Sequence, residues 1–246
     1  VAVCGMVGGS KIETQYIANI RALADVYFPG RFAGNLLGVP EGTVVTLPQV
    51  VAAVQSNPMG LYAIASTKQT PLPYVDIPAA GPVTNPATPA FQTLVGSLYA
   101  GIQFHARSIN NVLELTHGST PFDNADTRYE LGRAVVPAAL VAPMIEGSNE
   151  TVERFSFGKA AENYIDHNFT STGDLRIPTI TIHNVWDPVV PAFHEDTLRA
   201  RVTAAGNGSM LEQRWVPAYG HCAIPPATVV QGVVDVAGRI GPNMRR

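Results

Sequence analysis

Ile177 to His183 (I-P-T-I-T-I-H) is a short β-branched run closed by the turn-rich segment Asn184 to Pro188, the pattern of a buried parallel strand opening into a loop. A helical pattern follows from Ala192 to Ala205, Gly206-Asn207-Gly208 stops it, and a second apolar run occupies Met210 to Pro217. Strand, loop, helix, strand is a βαβ unit, whose two outgoing loops emerge on one edge of the sheet. A further strand opens the chain, in V-A-V-C-G. Between these parts the pattern turns helical. Ser10 to Tyr27 places Ile12, Tyr16, Ile17, Ile20, Leu23, Ala24 and Tyr27 on one stripe. Pro48 to Gln55 and Gly60 to Lys68 read as short helices broken at Asn57-Pro58. Residues 71 to 89 are too rich in proline for a regular element, and helical spacing returns over Ala90 to Leu115 and over residues 151 to 169. The expected class is α/β, with strands at the two ends of the chain and a mainly helical middle.

At 246 residues and 46% hydrophobic, the chain can bury a sizeable core. No apolar stretch is long enough for a membrane span. A net charge of −3 with 14% charged residues supplies no basic field for nucleic acid, and Arg245-Arg246 is too short for a binding arm. Gly5-Met6-Val7-Gly8-Gly9 lies between a strand and a helix, but its spacing is not that of a dinucleotide loop and no Gly-Lys-Ser/Thr occurs, so no nucleotide cofactor is expected. Residues 116 to 129 gather His117, Asp123, Asn124, Asp126 and Arg128. Their spacing does not match a calcium loop, and Asx turns and salt links account for them without a metal. His105, His167, His183 and His194 stand isolated and read as structural. Asn149-Glu150-Thr151 and Asn168-Phe169-Thr170 fit the glycosylation triplet, which matters only in a glycosylating host.

The chemistry sits in the two loops of the βαβ unit. Asp187, in W-D-P, follows the first strand, and His221, in G-H-C, follows the second. A carboxylate on one ring nitrogen fixes the tautomer, leaving the other nitrogen to take a proton from a hydroxyl or thiol. Acid before base is the order of the α/β-hydrolase triad, in which the nucleophile precedes both. Alone, an Asp-Pro turn or a Gly-His after a strand is an ordinary structural feature. The nucleophile is missing: no Gly-x-Ser-x-Gly exists. Ser97 lies in a helical pattern with Val95 and Tyr99 where the glycines belong. Ser10 has Ile12 at plus two and pairs with Glu13 as a capping box, and Cys4 lacks both flanking glycines. Cys4 and Cys222 both fall at the active edge of the sheet, either joined in a disulfide or as two buried free thiols. A disulfide implies an extracytoplasmic location, secreted or periplasmic.

The segment D-L-R-I-P-T-I-T-I-H-N-V-W-D-P-V-V-P-A-F-H-E, followed by W-V-P-A-Y-G-H-C-A-I-P, resembles the last third of α/β-hydrolase-fold serine esterases and prolyl-oligopeptidase-like hydrolases. V-A-V-C-G-M-V-G-G-S is similar to that family's strand after the nucleophile helix. The resemblance covers about residues 1 to 10 and 160 to 240. It implies the C-terminal part of an α/β-hydrolase sheet (1–10 and 174–246) with a helical cap or lid inserted at 11–173, and it assigns Asp187 as the acid and His221 as the base. It implies a small-molecule ester substrate, no cofactor, and a serine upstream of Val1 carried by a companion fragment or a missing segment. Ester and peptide bonds are not separated by these residues. Tyr16, Tyr27, Phe28, Tyr62, Phe91 and Phe104 either line a substrate pocket in the cap or form the cap's own core. The alternative in another class is a non-catalytic α/β domain that binds a small apolar ligand or a partner.

Overall fold

A computed structural model describes residues 1–240; the Arg245-Arg246 pair and the end of the expected core segment lie outside the described residues. The chain is mixed α/β with a small parallel sheet of three strands in the order β1-β2-β3. It divides into two compact units, Val1–Ile12 with Phe169–Arg246, and Glu13–Asn168.

The first unit holds the sheet. Strand β1 is Ala2–Val3, β2 is Thr179–Trp186 and β3 is Leu211–Tyr219. β1 pairs with β2 through Ala2 opposite Thr181, and β2 pairs with β3 from Thr179 opposite Leu211 onward. β2 starts two residues later and runs three residues further than its β-branched run predicts, because Asn184, Val185 and Trp186 continue the ladder against β3. Pro178 has no N–H to give and stays outside. Asn184 faces Val216 and Trp186 faces Tyr219, so Pro217 and Ala218 oppose Val185 alone in a bulge. Pro217 is tolerated there because β3 is an edge strand. Helix α7 (Phe193–Ala204) links β2 to β3 and packs Leu198 and Val202 against Leu211, with Val7 and Leu175 alongside. Helix α8 (Pro226–Arg239) approaches β2 through Gly232, where a Cβ would lie 2.9 Å from Ile182 Cδ1.

The second unit is helical. It takes most of α1 (Ser10–Tyr27), then α2 (Leu47–Ser56), α3 (Pro58–Ser66), α4 (Pro89–Leu115), α5 (Ala138–Thr151) and most of α6 (Lys159–Phe169). Asn57 separates α2 from α3 and caps the latter by accepting from Gly60 N at 3.2 Å, with Pro58 in the first turn. The α1 stripe is buried from Tyr16 to Tyr27, and α4 meets it through Gly101, where a Cβ would lie 2.8 Å from Ile20 Cδ1. Tyr16, Tyr27 and Phe28 belong to this core, and Phe104 is half-buried.

The expected helix over 151–169 is corrected to Lys159–Phe169, and α5 ends where that pattern was to begin. Two side chains hold the intervening backbone away from helix: Asn124 Oδ1 accepts from Phe155 N at 2.7 Å, and Asp123 Oδ2 accepts from Phe157 N at 3.1 Å. Asn124 also donates to Glu153 O at 2.8 Å and to Tyr129 Oη at 3.2 Å, and Tyr129 donates to Asn19 Oδ1 at 2.8 Å. The polar loop of residues 116–129 is thus a structural hub.

Candidate active site

The site is built on the carboxyl edge of the sheet. β2 ends at Trp186, so Asp187 begins the loop and its side chain turns back over the strand end, fully buried. One carboxylate oxygen accepts from the backbone N–H groups of Val189 and Val190, both at 2.9 Å, an Asx turn that fixes the side chain before any partner is added. The other oxygen lies 2.9 Å from Nδ1 of His221. A carboxylate only accepts, so Nδ1 carries the hydrogen and Nε2 presents its lone pair. The His221 side chain remains 40% exposed, which leaves Nε2 open to an incoming group. The structure therefore brings together the two residues selected from sequence, 34 positions apart.

His221 is anchored by its own loop. Gly220 N donates to Trp186 O at 3.1 Å, which sets the loop at the end of the ladder. Cys222 is bonded to Cys4, with Cα atoms 5.3 Å apart, so of the two states left open for these cysteines the disulfide holds. Asn184, fully buried on β2, donates to Ala223 O at 3.0 Å, while its Oδ1 has no partner among the described residues. Cys4 and Cys222 take positive φ values of 42° and 55°, uncommon for residues with a Cβ, and both flank the site. Cys4, His221 and Cys222 lie within 4.8 Å of one another. Their spacing suits a metal ion, but joined sulfurs offer no thiolate, and this donor set does not hold one.

Beneath Asp187 lies a buried polar cluster that sequence reading missed. His183 and His194 are not isolated: both are fully buried on the side of β2 that faces α7, together with Glu195. Thr181 Oγ1 and Gln213 Nε2 each donate to Glu195 Oε2 at 2.5 Å. Nδ1 of His183 is 4.0 Å from Asp187 Oδ2, and neither ring nitrogen has a hydrogen-bond partner among the described residues. Its ring stacks on Trp215 with centroids 6.2 Å apart. Burial, against the pull of Glu195 and Asp187, lowers the His183 pKa, and burial lowers that of His194 to about 4. Both imidazoles are neutral at pH 7, and the strand period of two that aligns Thr181 with His183 was the available signal.

Other candidates resolve simply. The hydroxyl of Ser97, inside α4, donates to Pro73 O. Gly8 and Gly9 are packed by protein, with His194 O and Phe169 O each 3.0 Å from where a Cβ would stand and Arg201 donating to Gly8 O at 2.7 Å. Among the described residues no helix is long and apolar enough to cross a membrane, and no hydroxyl lies within hydrogen-bond reach of His221 Nε2. The sulfur 3.6 Å away belongs to the disulfide. No family model, curated protein or solved structure matches the chain.

Proposed function

We propose that the chain carries the acid and base of a serine hydrolase acting on carboxylic esters, with the serine supplied by polypeptide outside these residues. The 2.9 Å contact from His221 Nδ1 to an Asp187 carboxylate already fixed by two backbone amides carries this reading. In the reaction His221 Nε2 takes the proton of the serine hydroxyl as its oxygen bonds to the ester carbon. Asp187 stabilises the imidazolium, and the same proton then passes to the departing alcohol as the carbon–oxygen bond breaks. Water, deprotonated by the same imidazole, releases the acid and frees the serine.

Two further features support a companion carrying the nucleophile. β1 is an edge of the sheet among the described residues. Helix α8 exposes Val230, Val233 and Val234, at 63%, 52% and 59%, a cluster of apolar side chains that a neighbouring element would cover. The Cys4–Cys222 bond supports a secreted or periplasmic setting.

Treatment of the natively isolated protein with a fluorophosphonate probe, followed by intact mass measurement, tests this. The expected result is a label on a companion chain, or on a species heavier than 26.1 kDa, that disappears with His221→Ala. Absence of label on any species, or labelling indifferent to His221→Ala, contradicts it.

A further inference from the structure

The helical unit contains a cavity of about 570 Å³ lined by α2, α3, the 84–86 segment and α4. That size is within the range of small-molecule sites, about 300–1,000 Å³. Its character is graded. At the inner end stand Val54, Tyr62 and Val95, all buried, with Val51 and Phe91 half-buried above them. At the mouth the exposed side chains of Gln55 and Gln92, on different helices, stand among exposed Leu47, Pro58, Thr84 and Pro86. Neither amide has a side-chain hydrogen-bond partner among the described residues, whereas Tyr62 already donates to Val83 O at 3.4 Å. None of the lining residues carries a charge.

We propose that this cavity is a binding site for an uncharged amphiphile: a hydrocarbon chain among Val51, Val54, Phe91 and Val95, and one neutral oxygen function, hydroxyl or ester carbonyl, at Gln55 and Gln92. Burying a hydrocarbon against apolar walls is favourable in proportion to the area removed from water, and two free amides at the rim satisfy one oxygen without charge. A carboxylate at the same place meets no cation among the lining residues, so it gains no charge-assisted hydrogen bond there to set against the water it gives up. The site belongs to the helical unit alone and stands whether or not Asp187 and His221 act in catalysis.

The test is a fluorescence titration of the full chain with the uncharged probe N-phenyl-1-naphthylamine, followed by displacement with 1-decanol and, separately, with decanoate at pH 8. The expected result is saturable binding, displacement by 1-decanol, and displacement by decanoate at least about tenfold weaker, following the arithmetic of one lost or desolvated polar interaction. Val51→Trp fills the cavity and should weaken probe binding at least about tenfold. Gln55→Trp, at an exposed helical position that tolerates a large side chain, should block the mouth similarly in a folded protein checked by circular dichroism. Failure of wild type to bind the probe, binding unchanged in folded Gln55→Trp, or decanoate equal to 1-decanol overturns the proposal.

Discussion

Both units bury polar side chains, and they satisfy them to different degrees. In the helical unit Asn124, Tyr129 and Asn19 form a closed chain of hydrogen bonds, and buried Arg21 is held by Asp25 at 2.9 Å and by Gly34 O at 2.8 Å. Under the carboxyl edge of the sheet, Asp187, His183, His194 and Glu195 are equally buried, and among the described residues His183 has no hydrogen-bond partner on either nitrogen and Asn184 none on Oδ1, whereas Arg21 and His105 of the helical unit each leave a single nitrogen, Nη1 and Nδ1, without one. A satisfied buried network stabilises and specifies a fold, while an unsatisfied group costs stability and persists where something other than stability holds it in place. We infer that the Asn124 network serves the fold and that the unpartnered groups beside Asp187 serve the proposed site.

The largest expected effect separates the two uses. In the proposed assembly with a nucleophile-bearing polypeptide, Asp187→Asn should lower kcat about 10⁴-fold through loss of the correct His221 tautomer. The urea midpoint of the helical unit should stay where it was. Steady-state ester hydrolysis beside an unfolding curve reads both quantities, and comparable losses in each would erase the distinction.

Acid should weaken both units through one mechanism. His105, whose Nε2 bonds Leu36 O at 2.9 Å, and His194 have pKa values lowered to about 4, first by burial. A folded-state pKa below the unfolded value of about 6.5 means the unfolded chain binds more protons between these limits. The stability is fully present above about pH 6.5 and is lost as pH falls toward 4, on the order of 3 kcal/mol for each group. His183 adds in the same direction. Urea unfolding at pH 7.5 and 4.5 measures the slope, and His105→Gln should flatten it for the helical unit only.

Two substitutions then probe the contrast directly. Asn124→Ala strands Phe155 N and Glu153 O and should cost about 2–3 kcal/mol. His183→Phe removes two unpartnered nitrogens while keeping an aromatic ring against Trp215, so stability should change by less than about 1 kcal/mol, with no loss. Thermal or urea denaturation checks the pair. A His183→Phe penalty matching that of Asn124→Ala would mean the imidazole has a structural duty after all.

Much of the fold was legible because it follows from short-range rules. The α1 stripe, the Asn57-Pro58 break and the strand–helix–strand order of the C-terminal third are written in periodicity and in proline and glycine positions. The extension of β2 to Trp186 and the extended backbone from Val152 to Gly158 were not, because each depends on a partner distant in the chain: β3 in one case, Asp123 and Asn124 in the other. At the site, Asp187 and His221 announce themselves by sitting in the loops after two strands. Asn184, His183 and Glu195 carry no such mark. Their position follows from strand alternation and from the packing of α7, which only the folded chain reveals.

The pairing of Asp187 with His221 is tested most directly by ¹H and ¹⁵N NMR of the His221 ring in the wild-type chain and in Asp187→Asn. A strongly deshielded Hδ1 proton on a neutral ring protonated at Nδ1, lost on substitution, is the predicted result. A ring protonated at Nε2 in the wild type, or an Hδ1 resonance unchanged in Asp187→Asn, would contradict an acid–base pair at this site.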